Sequence, residues 1–174
     1  MSTKAKELIK ELGSKQMASD KLSQLENNDC VVRAVQHAFG VDYIDAHHFC
    51  EIKLNRVSGD GVYTSRYLPK VKQAFGQKVK MIGKPLFKGG TKRPLRKKKT
   101  KMEKWSNAKQ KYCKVRRVVD VAYKVKEFVK DNSEGVFIVC VKGHAMALVN
   151  GKIIGNWNDG KRLNREVMTA YQVG

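Results

Sequence analysis

Residues 135–157 read GVFIVCVKGHAMALVNGKIIGNW and decide the fold. Three short runs in this stretch are rich in β-branched and aliphatic residues, and Asn150-Gly151 joins the last two of them. Asn-Gly between apolar runs is the strongest two-residue signal for a β-hairpin. The stretch therefore predicts antiparallel strands, with His144 directly after Gly143 at the mouth of the second strand.

Helical patterns dominate the chain before this stretch. Five segments are predicted to be helical: residues 5–12, 30–39, 42–52, 64–75 and 118–132. A strand is predicted at 78–83. Helices followed by antiparallel strands are typical of the α+β class, and the length favours a single domain over residues 1–174.

The composition is that of a globular protein without a membrane span. The chain has 174 residues, 41% of them hydrophobic, and no apolar run approaches the ~20 residues that a bilayer crossing needs. No apolar stretch follows the basic N-terminal residues, so no secretory signal is indicated and a cytoplasmic location is predicted. The four cysteines lie far apart and lack metal-ligand spacing, so neither a disulfide framework nor a metal or other cofactor is expected.

The positive charge is concentrated in one segment. The chain carries a net charge of +20, and residues 84–117 hold fifteen Lys and Arg against one Glu. This pattern predicts an exposed, partly disordered insertion that binds an anionic partner, either nucleic acid or an acidic protein surface. The candidate nucleic-acid-binding residues are Lys92, Arg93, Arg96, Lys97, Lys98, Lys99, Lys101 and Trp105. Trp105 and Tyr112 would either stack on unpaired bases or anchor the insertion to the core.

Cys30 and His144 form the candidate catalytic pair. Asp29 is a good helix N-cap, which places Cys30 in the first turn of a helix, where unpaired N–H groups and the helix dipole stabilise a thiolate. A nucleophilic thiol also needs an imidazole that accepts its proton and a third group that orients the imidazole. The other three histidines fall on the predicted early helices, so His144 is the candidate base.

The order of these residues resembles that of papain-like cysteine peptidases, over roughly residues 24–158. The similarity is strongest to small phage-encoded proteins of this type, which carry N-D-C-x-x-R-A early and G-H-x-x-A-(x)-x-x-G late. Here these motifs read NDCVVRA from Asn28 and GHAMALVNG from Gly143. The resemblance implies a papain-like fold and a phage protein that acts in the cytoplasm of the infected cell or travels in the virion.

The resemblance also implies a donor for the oxyanion hole. Gln24 lies six positions before Cys30, the spacing at which papain-like enzymes place the glutamine of that site. The Gln24 amide and the backbone N–H of Cys30 would donate to the tetrahedral intermediate. Asn27 is a substitute donor.

The residue that orients His144 departs from the motif of the phage-type proteins. Those proteins imply an aspartate in D-x-W-D, whereas residues 155–159 read GNWND here. Asn156 is the first candidate, because papain-like enzymes often use Asn followed closely by Trp. Asn158 and Asp159 are the alternatives.

The register of the predicted hairpin bears on this choice. A two-residue turn pairs Val149 with Lys152 and therefore His144 with Trp157. Asn156 then points away from His144, whereas a one-residue bulge beside the turn would put Asn156 and Asn158 on the same face as His144. Trp157 would either cover the imidazole or fill an apolar position at the end of the strand.

Two functional hypotheses follow from the sequence. The first is a cysteine peptidase or amidase that acts on a protein or peptide through an acyl-enzyme, with the basic insertion delivering it to nucleic acid or to an acidic target. The second is a nucleic-acid-binding or packaging protein on a papain-like scaffold with little or no catalysis. A clear aspartate beside His144 would favour the first hypothesis.

Overall fold

The computed structural model describes residues 1, 3–57, 59–85, 92–156 and 158–174. Trp157 and the part of the basic insertion at 86–91 lie outside the described residues. The α-helices are α1 (Thr3–Leu12), α2 (Lys15–Leu25), α3 (Cys30–Phe39), α4 (Tyr43–Leu54), α5 (Thr64–Tyr67) and α6 (Val125–Asp131), and short 3-10 helices cover Leu68–Lys70 and Asp159–Arg162. The strands are β1 (Gln73–Ala74), β2 (Gln77–Ile82), β3 (Lys84–Pro85), β4 (Lys92–Arg93), β5 (Leu95–Ser106), β6 (Lys111–Ala122), β7 (Val136–Val141), β8 (His144–Val149), β9 (Lys152–Ile154) and β10 (Thr169–Val173).

The main sheet is antiparallel, with strand order β1-β2-β10-β7-β8-β9. The β8–β9 hairpin pairs Val149 with Lys152, as the Asn-Gly turn predicts. β10, which follows an irregular segment, lies between β2 and β7. The predicted α+β class with an antiparallel sheet is therefore confirmed. No helix within the described ranges is long and apolar enough to cross a bilayer.

Both faces of the main sheet are covered. On β7, Ile138 and Cys140 belong to the core that includes α1 to α4, whereas Phe137 and Val139 belong to the core that includes α6. Successive side chains of a strand point to opposite faces, so a strand buried on both faces needs apolar residues at every position. This explains why the sequence of β7 is a continuous apolar run.

Helix α3 packs on strand β8, and this contact places the candidate pair. Ala145 and Ala147 of β8 lie in the same core as Val31, Ala34 and Val35 of α3. The small alanine side chains allow the helix to approach the strand closely. The first residue of α3 and the first residue of β8 therefore meet at one edge of this contact.

Several predicted elements differ in extent from the structure. The polar stretch before α3 contains helix α2, whose N-cap Ser14 accepts a hydrogen bond from the backbone N–H of Met17 at 3.4 Å. The helix predicted from Thr64 to about residue 75 ends at Tyr67, shortly before Pro69 in a 3-10 turn. The helix predicted over 118–132 is reduced to α6, because its β-branched beginning pairs with β5 as part of β6.

The basic insertion forms regular structure. β5 and β6 pair antiparallel over their whole length, from Leu95 opposite Ala122 to Ser106 opposite Lys111. We call this pair the basic ribbon. The prediction of a partly disordered segment is wrong for these residues, because valines interspersed with the lysines and arginines of β6 favour a strand, and pairing with β5 satisfies the backbone.

Candidate active site

Cys30 is the first residue of α3, and its thiol is half-buried. Asp29 holds the predicted N-cap position, but its side chain makes no capping hydrogen bond. Its carboxylate accepts hydrogen bonds from Arg33 Nε at 2.8 Å and from the Tyr43 hydroxyl at 2.9 Å. The N–H groups of the first turn are therefore not occupied by Asp29, and they and the helix dipole favour an anionic sulfur.

His144 is the first residue of β8 and is 8% exposed. Its Nε2 lies 2.5 Å from Asp159 Oδ1. The imidazole also forms a hydrogen bond with the Cys30 thiol. Because Asp159 occupies Nε2, we assign the bond with Cys30 to the other ring nitrogen, Nδ1. Cys30, His144 and Asp159 thus form one continuous hydrogen-bonded chain.

The surroundings of the pair favour charge separation. Burial raises the pKa of the Cys30 thiol, but hydrogen bonds from His144 and from the backbone of Ala145 outweigh burial and lower that pKa from 9.0. Burial lowers the pKa of His144, but its hydrogen bonds with Asp159 and Cys30 raise that pKa to about 9. These opposite shifts favour a thiolate–imidazolium pair.

The thiols in the core behave differently from Cys30. Burial raises the pKa of Cys50 to about 12 and the pKa of Cys140 to about 11. A thiolate is the reactive form of cysteine, so these two side chains are expected to be inert. Cys113 is half-buried on the basic ribbon and provides an accessible thiol for comparison.

Asp159, and not Asn156, is the residue that contacts the His144 imidazole. The predicted hairpin register does not extend this far, because β9 ends after three residues and the chain turns into the 3-10 helix that begins at Asp159. This turn returns the Asp159 carboxylate to His144. Asn156 contributes its backbone N–H, which donates to Asp159 Oδ2 at 2.9 Å. Asn158 lines the neighbouring cleft, and its buried Oδ1 has no partner within the described residues.

Gly155 leaves the space that the Asp159 carboxylate occupies. A Cβ at position 155 would lie 2.5 Å from Asp159 Oδ2, closer than real Cβ contacts. We expect Gly155→Ala to push the carboxylate away from His144 and to slow alkylation of Cys30 by iodoacetamide at pH 7 about 10-fold, which corresponds to one pKa unit of lost thiolate stabilisation. The measurement is the rate of Cys30 modification, followed by mass spectrometry.

Gly160 provides the matched control for this substitution. A Cβ at Gly160 meets no atom within 4 Å, although Gly160 directly follows Asp159. Gly160→Ala is therefore expected to leave the alkylation rate unchanged. Equal rates in Gly155→Ala and the unaltered protein would contradict the assigned position of Asp159.

Cys30 and His144 line a cleft of about 920 Å³ between α3, α5 and the start of β8. Asn28 lines the same cleft in a left-handed conformation with φ of 53°, and its side-chain amide donates to the carbonyl of Gly59 at 3.2 Å. Gln24 lies exposed on α2 and does not line this cleft. The structure therefore brings Asn28 to the predicted catalytic pair and leaves Gln24 outside it.

Two contributors to the site were not predicted from the sequence. The Ala145 backbone forms a hydrogen bond with the Cys30 thiol, and a backbone contact leaves no signature in the residue type. Asn28 carries a weak signal, because Asn tolerates the left-handed conformation that a tight turn before a helix requires. Neither residue type identifies the partner that it will face.

The candidate nucleic-acid-binding residues lie apart from the cleft. Lys92 and Arg93 form β4, and the others lie on β5. None of them lines the cleft that contains Cys30. Trp105 is 46% exposed and packs edge-to-face on Tyr112, so its ring contact is within the basic ribbon.

Comparisons of this chain with models of protein families, with curated proteins and with solved structures found no match. The functional inference therefore depends on the chemistry of the site, in which a thiol, an imidazole and a carboxylate are joined in that order.

Proposed function

We propose that this protein is a cysteine hydrolase of the papain-like type, acting on a peptide or amide bond. The observation that carries the proposal is the hydrogen-bonded chain from Cys30 through His144 to Asp159. It joins a nucleophile, a base and an orienting carboxylate at the wall of a cleft that is open to solvent. By the sequence resemblance, we also propose that the protein is phage-encoded and acts in the cytoplasm of the infected cell.

In the proposed reaction, the Cys30 thiolate attacks the carbonyl carbon and the carbonyl oxygen becomes an oxyanion. The His144 imidazolium donates its proton to the leaving amine as the C–N bond breaks, which leaves a thioester on Cys30. His144 then takes a proton from water, which attacks the thioester carbonyl. The C–S bond breaks, the acid is released, and Cys30 returns to the thiolate and His144 to the imidazolium. The Asp159 carboxylate holds the imidazolium in the correct orientation and stabilises its charge.

The oxyanion is assigned to the start of α3. Backbone N–H groups in the first turn of a helix have no intrahelical partner, so the N–H of Cys30 can donate to the intermediate. Of the asparagines that line the cleft, Asn28 lies nearest to Cys30 in the chain, two residues before it, and we assign to it the role that the sequence resemblance gave to Gln24.

The carboxylate beside His144 favours this proposal over a catalytically inactive scaffold. The sequence motif lacks an aspartate at its expected place, and that absence supported the second hypothesis. Asp159 is 3% exposed and accepts hydrogen bonds on both oxygens, from His144 and from the backbone of Asn156. A buried carboxylate with both oxygens bonded is held in one orientation, as an orienting residue requires.

The test is the reaction of the protein with p-nitrophenyl acetate, which acylates reactive cysteines without requiring a particular peptide sequence. We expect a burst of one equivalent of p-nitrophenolate, an acetyl group on Cys30 in the intact-mass spectrum, and a slower steady release as water hydrolyses the thioester. Cys30→Ala is expected to lose both phases. Incubation of the unaltered protein with a peptide library then shows whether amide bonds are cut.

Cys113→Ala is the matched control, because Cys113 is the other half-buried thiol. It is expected to retain the burst and the turnover. Stable acetylation of Cys30 with no turnover would support the inactive scaffold instead, and acetylation of Cys113 as fast as that of Cys30 would refute the assignment of the nucleophile.

A further inference from the structure

The proposed hydrolase chemistry makes no use of the basic ribbon, although the ribbon carries a large share of the excess positive charge. Its two strands have 12 residues each and carry ten Lys and Arg against one Glu and one Asp. At about 3.4 Å per residue, the ribbon is roughly 40 Å long. A two-stranded ribbon of this length with exposed charges contributes little to a core, so its stability and sequence need another explanation.

The cations are divided equally between the two faces of the ribbon. Directly opposed residues of an antiparallel pair share a face, and the faces alternate along each strand. One face carries Lys97, Lys99, Lys101, Lys114 and Arg116, and the other carries Arg96, Lys98, Lys104, Lys111 and Arg117. All of these except Arg96 are exposed. A flat acidic protein surface would contact one face only, whereas the walls of a nucleic-acid groove present phosphates to both.

Ion pairs hold the base of the ribbon to the rest of the protein. Asp120 lies 2.6 Å from Lys84 Nζ and 3.0 Å from Lys97 Nζ, and Arg96 pairs with Glu127 of α6. Within the described residues, the other eight cations of the ribbon have no acidic side chain at ion-pair distance. Their charges are therefore available to an anionic ligand.

The tip of the ribbon carries an exposed aromatic pair. Trp105 and Tyr112 are opposite each other, with ring centroids 5.2 Å apart and an interplanar angle of 71°. They are 46% and 67% exposed. Large aromatic side chains at a cationic tip match the way in which proteins contact bases, by stacking or by wedging into a base step.

We propose that the basic ribbon is an arm that binds duplex DNA. The major groove of B-DNA is about 12 Å wide and admits a two-stranded β-ribbon, and the ribbon length of roughly 40 Å covers about one helical turn. The two faces contact phosphates on both walls of the groove, and the Trp105–Tyr112 pair reaches a base step. Duplex RNA is a poorer ligand, because its major groove is deep and narrow.

The test measures binding of the full chain to a duplex of about 30 base pairs, long enough for more than two turns, by fluorescence anisotropy at several salt concentrations. The test variant combines Lys98→Gln, Lys99→Gln, Lys101→Gln and Lys104→Gln. Log affinity falls as log salt rises, and each lost phosphate contact reduces the steepness of this fall by about 0.9. We therefore expect the slope of the variant to be shallower by about 3 to 4. Unaltered slope in this variant would overturn the proposal.

A second variant with the same change in net charge serves as the control. It combines Lys6→Gln, Lys10→Gln, Lys21→Gln and Lys152→Gln, all exposed and outside the ribbon. We expect the salt slope of this variant to stay within one unit of the unaltered protein. An equal decrease in both variants would mean that the total charge of the protein, and not the ribbon, binds the duplex, which would overturn the assignment.

Trp105→Ala tests the tip separately from the charges. Loss of one aromatic stacking contact is expected to weaken duplex binding about 10-fold with an unchanged salt slope. Tighter binding of the unaltered protein to single-stranded DNA, to duplex RNA or to polyglutamate than to duplex DNA would overturn the choice of ligand. These measurements do not require Cys30, so their failure would leave the hydrolase proposal standing, and failure of the hydrolase would leave the ribbon proposal standing.

Discussion

Replacing His144 by alanine is expected to slow the alkylation of Cys30 by iodoacetamide at pH 7 by about 10- to 100-fold. Burial raises the pKa of the Cys30 thiol, and the hydrogen bond from His144 is the largest influence that opposes burial. Without the imidazole the pKa of Cys30 rises, and the reactive thiolate becomes scarce at neutral pH. The measurement is the rate of modification at Cys30 relative to Cys113 in the same sample.

The pH dependence of this rate gives a second readout of the same pair. His144 has its pKa raised from 6.5 to about 9, so the stabilisation contributed by its positive charge is fully present below about pH 6.5 and is lost as pH rises through about 9. Cys30 has a lowered pKa, so the ion pair exists above that pKa and up to about pH 9. The alkylation rate should therefore rise with pH as the thiolate forms. It should change a second time near pH 9, where the His144 imidazolium loses its proton. Asp159→Asn is expected to move this second change in rate to a pH below 9, because the hydrogen bond with the Asp159 carboxylate raises the pKa of His144.

A Cys30 rate that does not respond to His144→Ala would contradict the hydrogen-bonded pair. His48→Ala is the matched control, because His48 is a half-exposed histidine whose Nε2 lies 2.8 Å from the N-terminal amine. It is expected to leave the rate at Cys30 unchanged.

Arg56→Ala is expected to lower the free energy of unfolding by about 3–5 kcal/mol. Arg56 is 4% exposed, with Nη2 2.9 Å from Glu26 Oε2 and Nη1 2.8 Å from His47 Nε2. Burial lowers the pKa of His47, so its neutral imidazole accepts this second hydrogen bond. Removing the guanidinium takes the buried cation away from the Glu26 carboxylate, which is itself 7% exposed, and leaves beside it the more exposed Lys4 amine, 3.2 Å from Oε1. Urea unfolding followed by circular dichroism measures the loss.

Lys15→Ala is the control for the stability prediction. Lys15 Nζ lies 2.6 Å from Asp45 Oδ2, a shorter contact than that of Arg56, but both side chains are well exposed. Exposed ion pairs contribute about 1 kcal/mol or less, because water and salt screen them. If the two substitutions cost the same, desolvation does not govern the Glu26–Arg56 pair.

The buried pair also matters for the site, because it supports one wall of the cleft. Glu26 Oε2 accepts a hydrogen bond from the Gly59 backbone at 3.1 Å, and the nearby residues Val57 and Asp60 line the cleft. A carboxylate shared between a guanidinium and a loop backbone fixes the loop relative to α2 and α4. Arg56→Ala is therefore expected to loosen the cleft wall as well as the core.

Much of the local structure is predictable from the residues alone. The helical spacing after Asp29 and the Asn150-Gly151 turn predict the start of α3 and the β8–β9 register, and both agree with the structure. The extent of β6 is not predictable in the same way, because Val118 and Val121 fit a helical spacing as well as a strand. Pairing with β5 decides between the two, and that partner is a basic segment with little apolar pattern of its own.

The sequence by itself determined that Cys30 begins a helix and that His144 begins a strand, because helix caps, turn residues and apolar periodicity act over a few neighbouring positions. Only the tertiary structure decided that α3 packs on β8, that Asp159 and not Asn156 reaches the imidazole, and that Asn28 and not Gln24 lines the cleft. These contacts depend on where the chain leaves a strand or helix and on which small side chains allow elements to approach. Such geometry is set by the packing of the whole domain, and no local pattern encodes it.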